Sequence, residues 1–168
     1  MKAWGNDGEF IIRIDERLLH AQVLIGWVSV LRLTRMVIAS TAVTRDPDSS
    51  ELYRMIVPEG LELHIADETG AAEWLRTWRG DRDQVMVLTA TVTGAEHLLT
   101  ALGDDAPARV HIGGLYHRDG REKLRDGLYV SPEENQAIRD LLVAGTEVVF
   151  LPLPGQKPVD IRELLPAC

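Results

Sequence analysis

Cysteine is nearly missing from this chain: the one residue, Cys168, stands at the last of 168 positions. One thiol builds neither an intrachain disulfide framework nor a cysteine metal site. Metal-ligand spacing is lacking elsewhere too, since His64, His97, His111 and His117 form no His-Glu-x-x-His pattern. Neither Gly-x-Gly-x-x-Gly nor a P-loop sequence occurs, so no nucleotide and no other cofactor is indicated. Basic charge is scarce. The 18 Lys and Arg residues stand against 26 Asp and Glu, for a formal net charge of -8, which argues against general nucleic-acid binding and against docking on an acidic membrane surface. No apolar run is long enough to span a bilayer. The opening stretch, Met1 to Glu9, has no apolar signal core, so a cytoplasmic location is expected. Internal repeats, low-complexity tracts and interdomain linkers are also missing.

What is present is a globular composition. Apolar residues make up 45% of the chain, and the length suits a single domain over 1–168 with a full core. Residues 1–8 read as a flexible or peripheral N-terminus. Apolar strand-like runs at 9–14, 35–39, 61–65, 84–88, 109–112, 127–130 and 146–151 alternate with segments of helical spacing. Helices are predicted over Leu19 to Leu31, from Asp46-Pro47 to just before Pro58, over 69–78 and over 94–102. A further helix follows Ser131-Pro132-Glu133-Glu134, a capping box with proline at the first helical position, and a short one follows Asp160. In the helix after Asp46, Leu52, Met55 and Ile56 are expected to face inward. Residues 116–126 form the longest polar stretch and are expected to be an exposed loop. Strands alternating with helices predict an α/β fold with a mostly parallel central sheet and helices on both faces. The four tryptophans read as packing residues.

One stretch concentrates chemistry: Arg13-Ile14-Asp15-Glu16-Arg17-Leu18-Leu19-His20-Ala21-Gln22-Val23. It falls where the first strand ends and the first helix begins, a place where loops of α/β proteins line the binding crevice. His20 is an imidazole nucleophile or phosphate carrier, and Arg13 and Arg17 carry planar forks suited to phosphate oxygens. Asp15 is placed to orient His20 or Arg17. The plainer alternative is a core histidine beside a salt-bridge cluster of Arg13 and Arg17 with Asp15 and Glu16. Gly113-Gly114 reads as an ordinary turn or as a tight loop approaching the same crevice, with His111 just before it.

The run Arg13-Ile-Asp-x-Arg-Leu-Leu-His20-x-Gln22-Val, followed by Gly26-Trp27-Val28, closely resembles the active-site motif of IIB components of the mannose/fructose/sorbose family of bacterial phosphotransferase systems. The resemblance continues at Glu73-Trp74-Leu75, Ile112-Gly113-Gly114, Tyr129-Val130-Ser131 and Lys157-Pro158-Val159-Asp160, and so covers nearly the whole chain. It implies a protein-histidine–sugar phosphotransferase. His20 would accept a phosphoryl group, on Nδ1, from a phosphohistidine of a IIA partner and pass it to a sugar entering through a membrane IIC/IID permease. It places the protein in the cytoplasm, at the inner membrane through those partners. Arg17 matches the arginine that contacts the phosphoryl group, and Arg13 and Asp15 match flanking members of the motif. Gln22, His111, Gly113, Gly114, Ser40 and Thr89 are the candidates for substrate or partner contacts. A homo-oligomer stays open.

The chain departs from the family pattern at Ala21, where glycine is usual, and at Ser40-Thr41, where an acidic pair is common. It departs again at Thr89-Ala90-Thr91, which lacks the usual proline, and at His111, where asparagine is common. These departures bear on sugar and partner choice. They keep open a second role, that of a regulatory phosphoprotein reporting phosphotransferase flux, and a third, weaker one, an unrelated phosphatase or mutase.

Overall fold

Central strands of a sheet covered on both sides must be apolar on both faces, and the runs Ile11-Ile12-Arg13-Ile14 and Val85-Met86-Val87-Leu88 meet that demand almost throughout. In the computed structural model, which describes residues 10–78 and 84–166, these runs lie in the middle of a seven-stranded sheet. In chain order the elements are β1 (Ile11–Asp15), α1 (residues 21–31), β2 (Arg35–Ala39), α2 (Thr41–Thr44), α3 (Pro47–Ile56), β3 (Glu62–Ala66), α4 (Glu68–Trp78), β4 (Val85–Thr89), α5 (Val92–Leu102), β5 (Arg109–Gly114), β6 (Glu122–Arg125), β7 (Leu128–Val130), α6 (Pro132–Val143), β8 (Glu147–Phe150) and β9 (Val159–Asp160), followed by a 3₁₀ turn at Ile161–Glu163. The expectation for residues 1–8, Trp4 and Cys168 fall outside the described residues.

The sheet order is β3-β2-β4-β1-β5-β8-β9. Every pairing is parallel except that of β9 with β8. From β1 the chain travels toward β2 and the β3 edge, and from β5 it travels the other way toward β8. Adjacent strands with diverging connections mark the switch point of an open α/β sheet, where ligands bind outside the carboxyl ends. Here that point lies between the ends of β1 and β5.

Alternate residues of each strand serve opposite faces. Ile12, Ile14, Val87, Val110 and Ile112 meet Ala71 and Leu75 of α4, Ala95 and Leu98 of α5 and Ile138 and Leu141 of α6. Ile11, Met36, Ile38, Met86 and Leu88 meet Val23, Trp27 and Leu31 of α1 and Val43 of α2 on the other face. Arg13 and Asp15 share the register of Ile11 and therefore point toward the α1 side.

Caps explain the helix starts. Asp46 accepts from the amides of Asp48 and Ser49, and Ser131 and Glu134 form a reciprocal capping box. Three expectations are corrected. The first helix begins at residue 21, not Leu19, and its Val23–Val28 stretch is a wide π-helical turn, a feature that often accompanies functional sites. In α3, Leu52, Met55 and Ile56 are exposed, at 58%, 75% and 40%. That helix hangs on the preceding turn through the opposite face, with Ser50 Oγ donating to the Val43 carbonyl at 2.8 Å and Tyr53 and Val57 packed against the core. The polar stretch after Tyr116 is not simply a loop: β6 pairs with β7 as an antiparallel hairpin, and Arg121 is nearly buried by ion pairs.

Candidate active site

Strand β1 carries Asp15 to its carboxyl end, and the next five residues turn into α1. Leu18 holds a left-handed backbone conformation with φ of 51°, uncommon for a residue with a branched side chain. The turn is kept by the Leu18 amide donating to the Asp15 carbonyl at 2.9 Å and by burial of the Leu18 side chain. Its carbonyl meets His20 Nδ1 at 2.8 Å. A carbonyl only accepts, so Nδ1 carries the proton in this contact. Nε2 is buried and without a hydrogen-bond partner, 4.0 Å from Asp15 Oδ2. The His20 backbone carbonyl receives the amides of Val23 and Leu24, both at 3.0 Å, and so opens α1.

The two arginines of the sequence motif have different places. Arg13 is fully buried and its terminal nitrogens are committed. Nη1 donates to the Leu151 carbonyl at 2.7 Å, and Nη2 to the Pro152 carbonyl at 3.0 Å and to Asp15 Oδ2 at 3.1 Å. Its guanidinium carbon lies 4.9 Å from the Trp27 ring centre. Burial lowers its pKa against the opposing pull of Asp15. Arg13 therefore anchors the site from below instead of reaching a phosphate. Removing one partner of such a buried pair leaves the other charge uncompensated.

Arg17 stands on the rim with its side chain 45% exposed. Its amide donates to Asp15 Oδ1 at 3.2 Å, and its Nη2 donates to Gln22 Oε1 at 2.8 Å. Its guanidinium carbon sits 4.6 Å from the centre of the Tyr116 ring. Gln22 reaches back to the Pro152 carbonyl at 3.4 Å, which also receives Trp27 Nε1 at 3.3 Å.

The glycine pair is required by close approach. A Cβ on Gly113 would overlap the Arg13 guanidinium, and one on Gly114 would come within 2.6 Å of Tyr116 Cζ. Beyond them the Tyr116 amide donates to Glu16 Oε2 at 2.6 Å, and its carbonyl receives Arg121 Nη1 at 2.7 Å. Glu16 also contacts Arg118 at 2.8 Å and Arg121 at 2.9 Å, and Arg121 reaches Glu134 of the α6 capping box. Burial pushes the Glu16 carboxyl up, but hydrogen bonds from Arg121 and the Tyr116 amide outweigh it and hold it below the ordinary range.

His111 lies beneath this group, paired in register with Arg13 and tilted against Trp27 at 6.3 Å. Burial, helped by the Arg13 and Arg109 guanidinium groups, pushes its pKa down to about 3. Its Nδ1 is buried without a partner, so His111 supports the site as a neutral ring and does not present a contact surface. Its folded pKa is below the ordinary 6.5, so between pH 6.5 and 3 the unfolded chain binds a proton that the folded chain refuses, and stability falls as pH drops through that window. The penalty at pH 5 is about 2 kcal/mol. Urea midpoints at pH 7 and pH 5 should converge more in His111→Gln than in the parent chain; equal losses in both would refute this assignment.

The remaining candidates do not join the cluster. Ser40 Oγ accepts from the Val43 amide as the cap of α2, and Thr89 is fully buried with its hydroxyl 3.4 Å from the Thr91 carbonyl. His64 stacks on Trp74, and His97 and His117 are exposed on α5 and in a loop. No group of metal-holding side chains occurs among the described residues. Sequence reasoning missed Tyr116, the Glu16–Arg121–Glu134 chain and the Leu151 and Pro152 carbonyls. The Gly113-Gly114 pair was the one local signal, since two adjacent glycines announce that something bulky lies close.

The arrangement is an imidazole with one nitrogen on a carbonyl and the other facing a buried carboxylate, which a half-exposed arginine also contacts. Comparison with known proteins gives it context. The family model described as PTS system sorbose subfamily IIB component matches residues 10–167. The N-acetylgalactosamine-specific phosphotransferase enzyme IIB component 2 of Escherichia coli (strain K12) is 26% identical over 153 residues, covering 91% of this chain and 96% of that protein. The PTS system mannose-specific EIIAB component of the same strain is also 26% identical, over 141 residues and 82% of this chain, but the match spans only 42% of that longer protein. Among solved structures, the IIBSor domain of the sorbose permease from Klebsiella pneumoniae superposes with a TM-score of 0.80 at 24% identity, covering 92% of this chain and 94% of that one.

Proposed function

Because the chain belongs to the sorbose-subfamily IIB components of the phosphotransferase system, we propose that it carries a phosphoryl group on His20, taken from a phosphohistidine of a IIA protein and delivered to a sugar hydroxyl at a IIC/IID permease. The observation that carries this reading is the placement of His20 between the Leu18 carbonyl and the Asp15 carboxylate, next to Arg17.

The transfer is an in-line displacement at phosphorus. The bond from the donor nitrogen breaks as a bond to His20 forms, and no net charge is created. Attack by Nε2 would press the phosphoryl dianion against Asp15. Attack by Nδ1 leaves Nε2 protonated, and its N–H then faces Asp15 Oδ2, which favours that tautomer in the way a carboxylate orients a catalytic imidazole. Before attack the ring gives up its contact with Leu18: Nδ1 loses its proton to solvent and Nε2 takes one up, so the Nδ1 lone pair meets phosphorus while the donor leaves as a neutral imidazole. Arg17 supplies donors and positive charge to the phosphoryl oxygens, the main demand of a loose transition state. In the second step the sugar oxygen attacks phosphorus, the N–P bond breaks, and the hydroxyl proton is taken up by the imidazole or solvent. Among the described residues no helix is long and apolar enough to cross a membrane; in this reading the sugar arrives through the IIC/IID permease.

The test is to incubate the protein with phosphoenolpyruvate, the general phosphotransferase proteins and a mannose-family IIA domain, then measure intact mass and phosphorus NMR. An acid-labile phosphate with the Nδ1-phosphohistidine signature is expected. An acid-stable phosphate, or none with several active donors, would sink the reading.

A further inference from the structure

We propose that Tyr116 is a positioning residue for this transfer, its ring serving as the platform that holds the Arg17 guanidinium beside His20. The inference rests on the reading of His20 as the phosphoryl carrier. Arg17 is a long side chain at the rim of the site, 45% exposed, and left to solvent it would sample many rotamers. Three contacts narrow that freedom. Its guanidinium carbon lies 4.6 Å from the Tyr116 ring centre, its Nη2 donates to Gln22 Oε1 at 2.8 Å, and its Nε lies 3.9 Å from Asp15 Oδ1. A planar cation against an aromatic face is a favourable arrangement.

The platform is itself held unusually firmly for a loop residue. The Tyr116 amide and carbonyl are both taken, by Glu16 at 2.6 Å and Arg121 at 2.7 Å. Glu16 and Arg121 are each only 8% exposed in their side chains. The ring lies close against Gly114, where any side chain would collide with it. Among the described residues its hydroxyl makes no hydrogen bond, so the ring face, not the phenol, does the positioning. Burial, and secondarily the Asp15 carboxylate, raises the phenol pKa, so the hydroxyl adds no negative charge where phosphate arrives. Pre-setting a donor in this way lowers the reorganisation needed at the moment of transfer.

Phosphoramidate, a small donor that needs no protein partner, gives a direct test on the purified chain. His20 phosphorylation would be timed by intact mass in the parent protein, Tyr116→Phe, Tyr116→Leu, Arg17→Ala and the Tyr116→Leu/Arg17→Ala double variant. Phenylalanine is expected to keep the parent rate, whereas leucine slows the reaction about tenfold. Arg17→Ala slows it by about a hundredfold, and the double variant is no slower than Arg17→Ala alone. A purely structural tyrosine would lower the melting temperature without this dependence on Arg17. If the parent chain takes phosphate on His20 from neither phosphoramidate nor a IIA donor, the functional reading fails. If it takes phosphate and the leucine variant is as fast, or the two losses multiply, the Tyr116 assignment fails. Should leucine prevent folding, the Arg17 Nε–H resonance of the parent chain decides: an upfield ring-current displacement, kept in Tyr116→Phe, supports the platform, and its lack overturns it.

Discussion

Alanine at position 20 is expected to abolish acid-labile phosphate on this protein while leaving the fold in place. His20 lies at the start of α1 with its side chain only 16% exposed, yet it contributes little packing that its neighbours do not secure. The buried Leu18, Leu19 and Val23 hold the turn on either side, and the His20 backbone carbonyl still opens the helix. The variant loses one hydrogen bond to the Leu18 carbonyl, worth about 1 kcal/mol, and the melting temperature should fall by only about 3 °C for a domain of this size. The chemical loss is complete because no other histidine is equivalently placed. His111 is buried as a neutral ring, His64 is stacked on Trp74, His97 is exposed on α5, and the exposed His117 stands edge-on to Tyr129. Phosphate appearing on the variant with the parent time course, at any of these four rings, would move the site elsewhere.

The second large effect is on stability. Gly113→Ala should lower the unfolding free energy by about 4 kcal/mol, summing overpacking of about 1–3 kcal/mol with the cost of disrupting polar contacts, about 1–3 kcal/mol for each group left unsatisfied. The new methyl would fall on the Arg13 guanidinium, which has nowhere to go. It is held by the Leu151 and Pro152 carbonyls and Asp15, and it lies against the Trp27 ring. Displacing it takes the guanidinium from the buried Asp15 carboxylate and the donor from the Leu151 carbonyl, while the Pro152 carbonyl keeps Gln22 and Trp27. Ordinary domains hold only about 5–15 kcal/mol in all, so the melting temperature should drop by about 10 °C. Gly155, where a methyl meets nothing within 4 Å, is the control and should tolerate alanine. If both variants melt alike, the close approach of Gly113 to Arg13 does not carry the stability assigned to it.

The sheet was legible because its central strands have only one way to satisfy their pattern. A four-residue apolar run such as Val85-Met86-Val87-Leu88 has to be covered on both faces, and the capped helices between the runs supply the cover. The His20 turn was legible because its chemistry is local, with nucleophile, carboxylate and exposed arginine all within six residues. For Arg13 the same local view left two readings open, a phosphate fork and a salt bridge with Asp15, and the geometry has the second. Being inside the strand, two residues from Asp15, Arg13 shares that residue's face and is walled in by β4 and β5, whereas Arg17 has passed the strand end. The apolar stripe Leu52, Met55 and Ile56 misled for another reason, since helical spacing says that a helix has an apolar face but not that its packing uses that face. Tyr116 pairs with Glu16 across 100 residues and Arg13 with Pro152 across 139, separations at which no local pattern survives.

That last pairing sets a timetable for the molecule. The Pro152 carbonyl gathers Arg13, Gln22 and Trp27, so the residues around His20 take their final positions only after residues 151 and 152 have been made and docked. A nascent chain halted before residue 151 would carry His20 on an unfinished floor, with Arg13 lacking two of its three acceptors. Competence for the proposed transfer thus waits on residues 151 and 152, and closing this long loop belongs among the late events of folding.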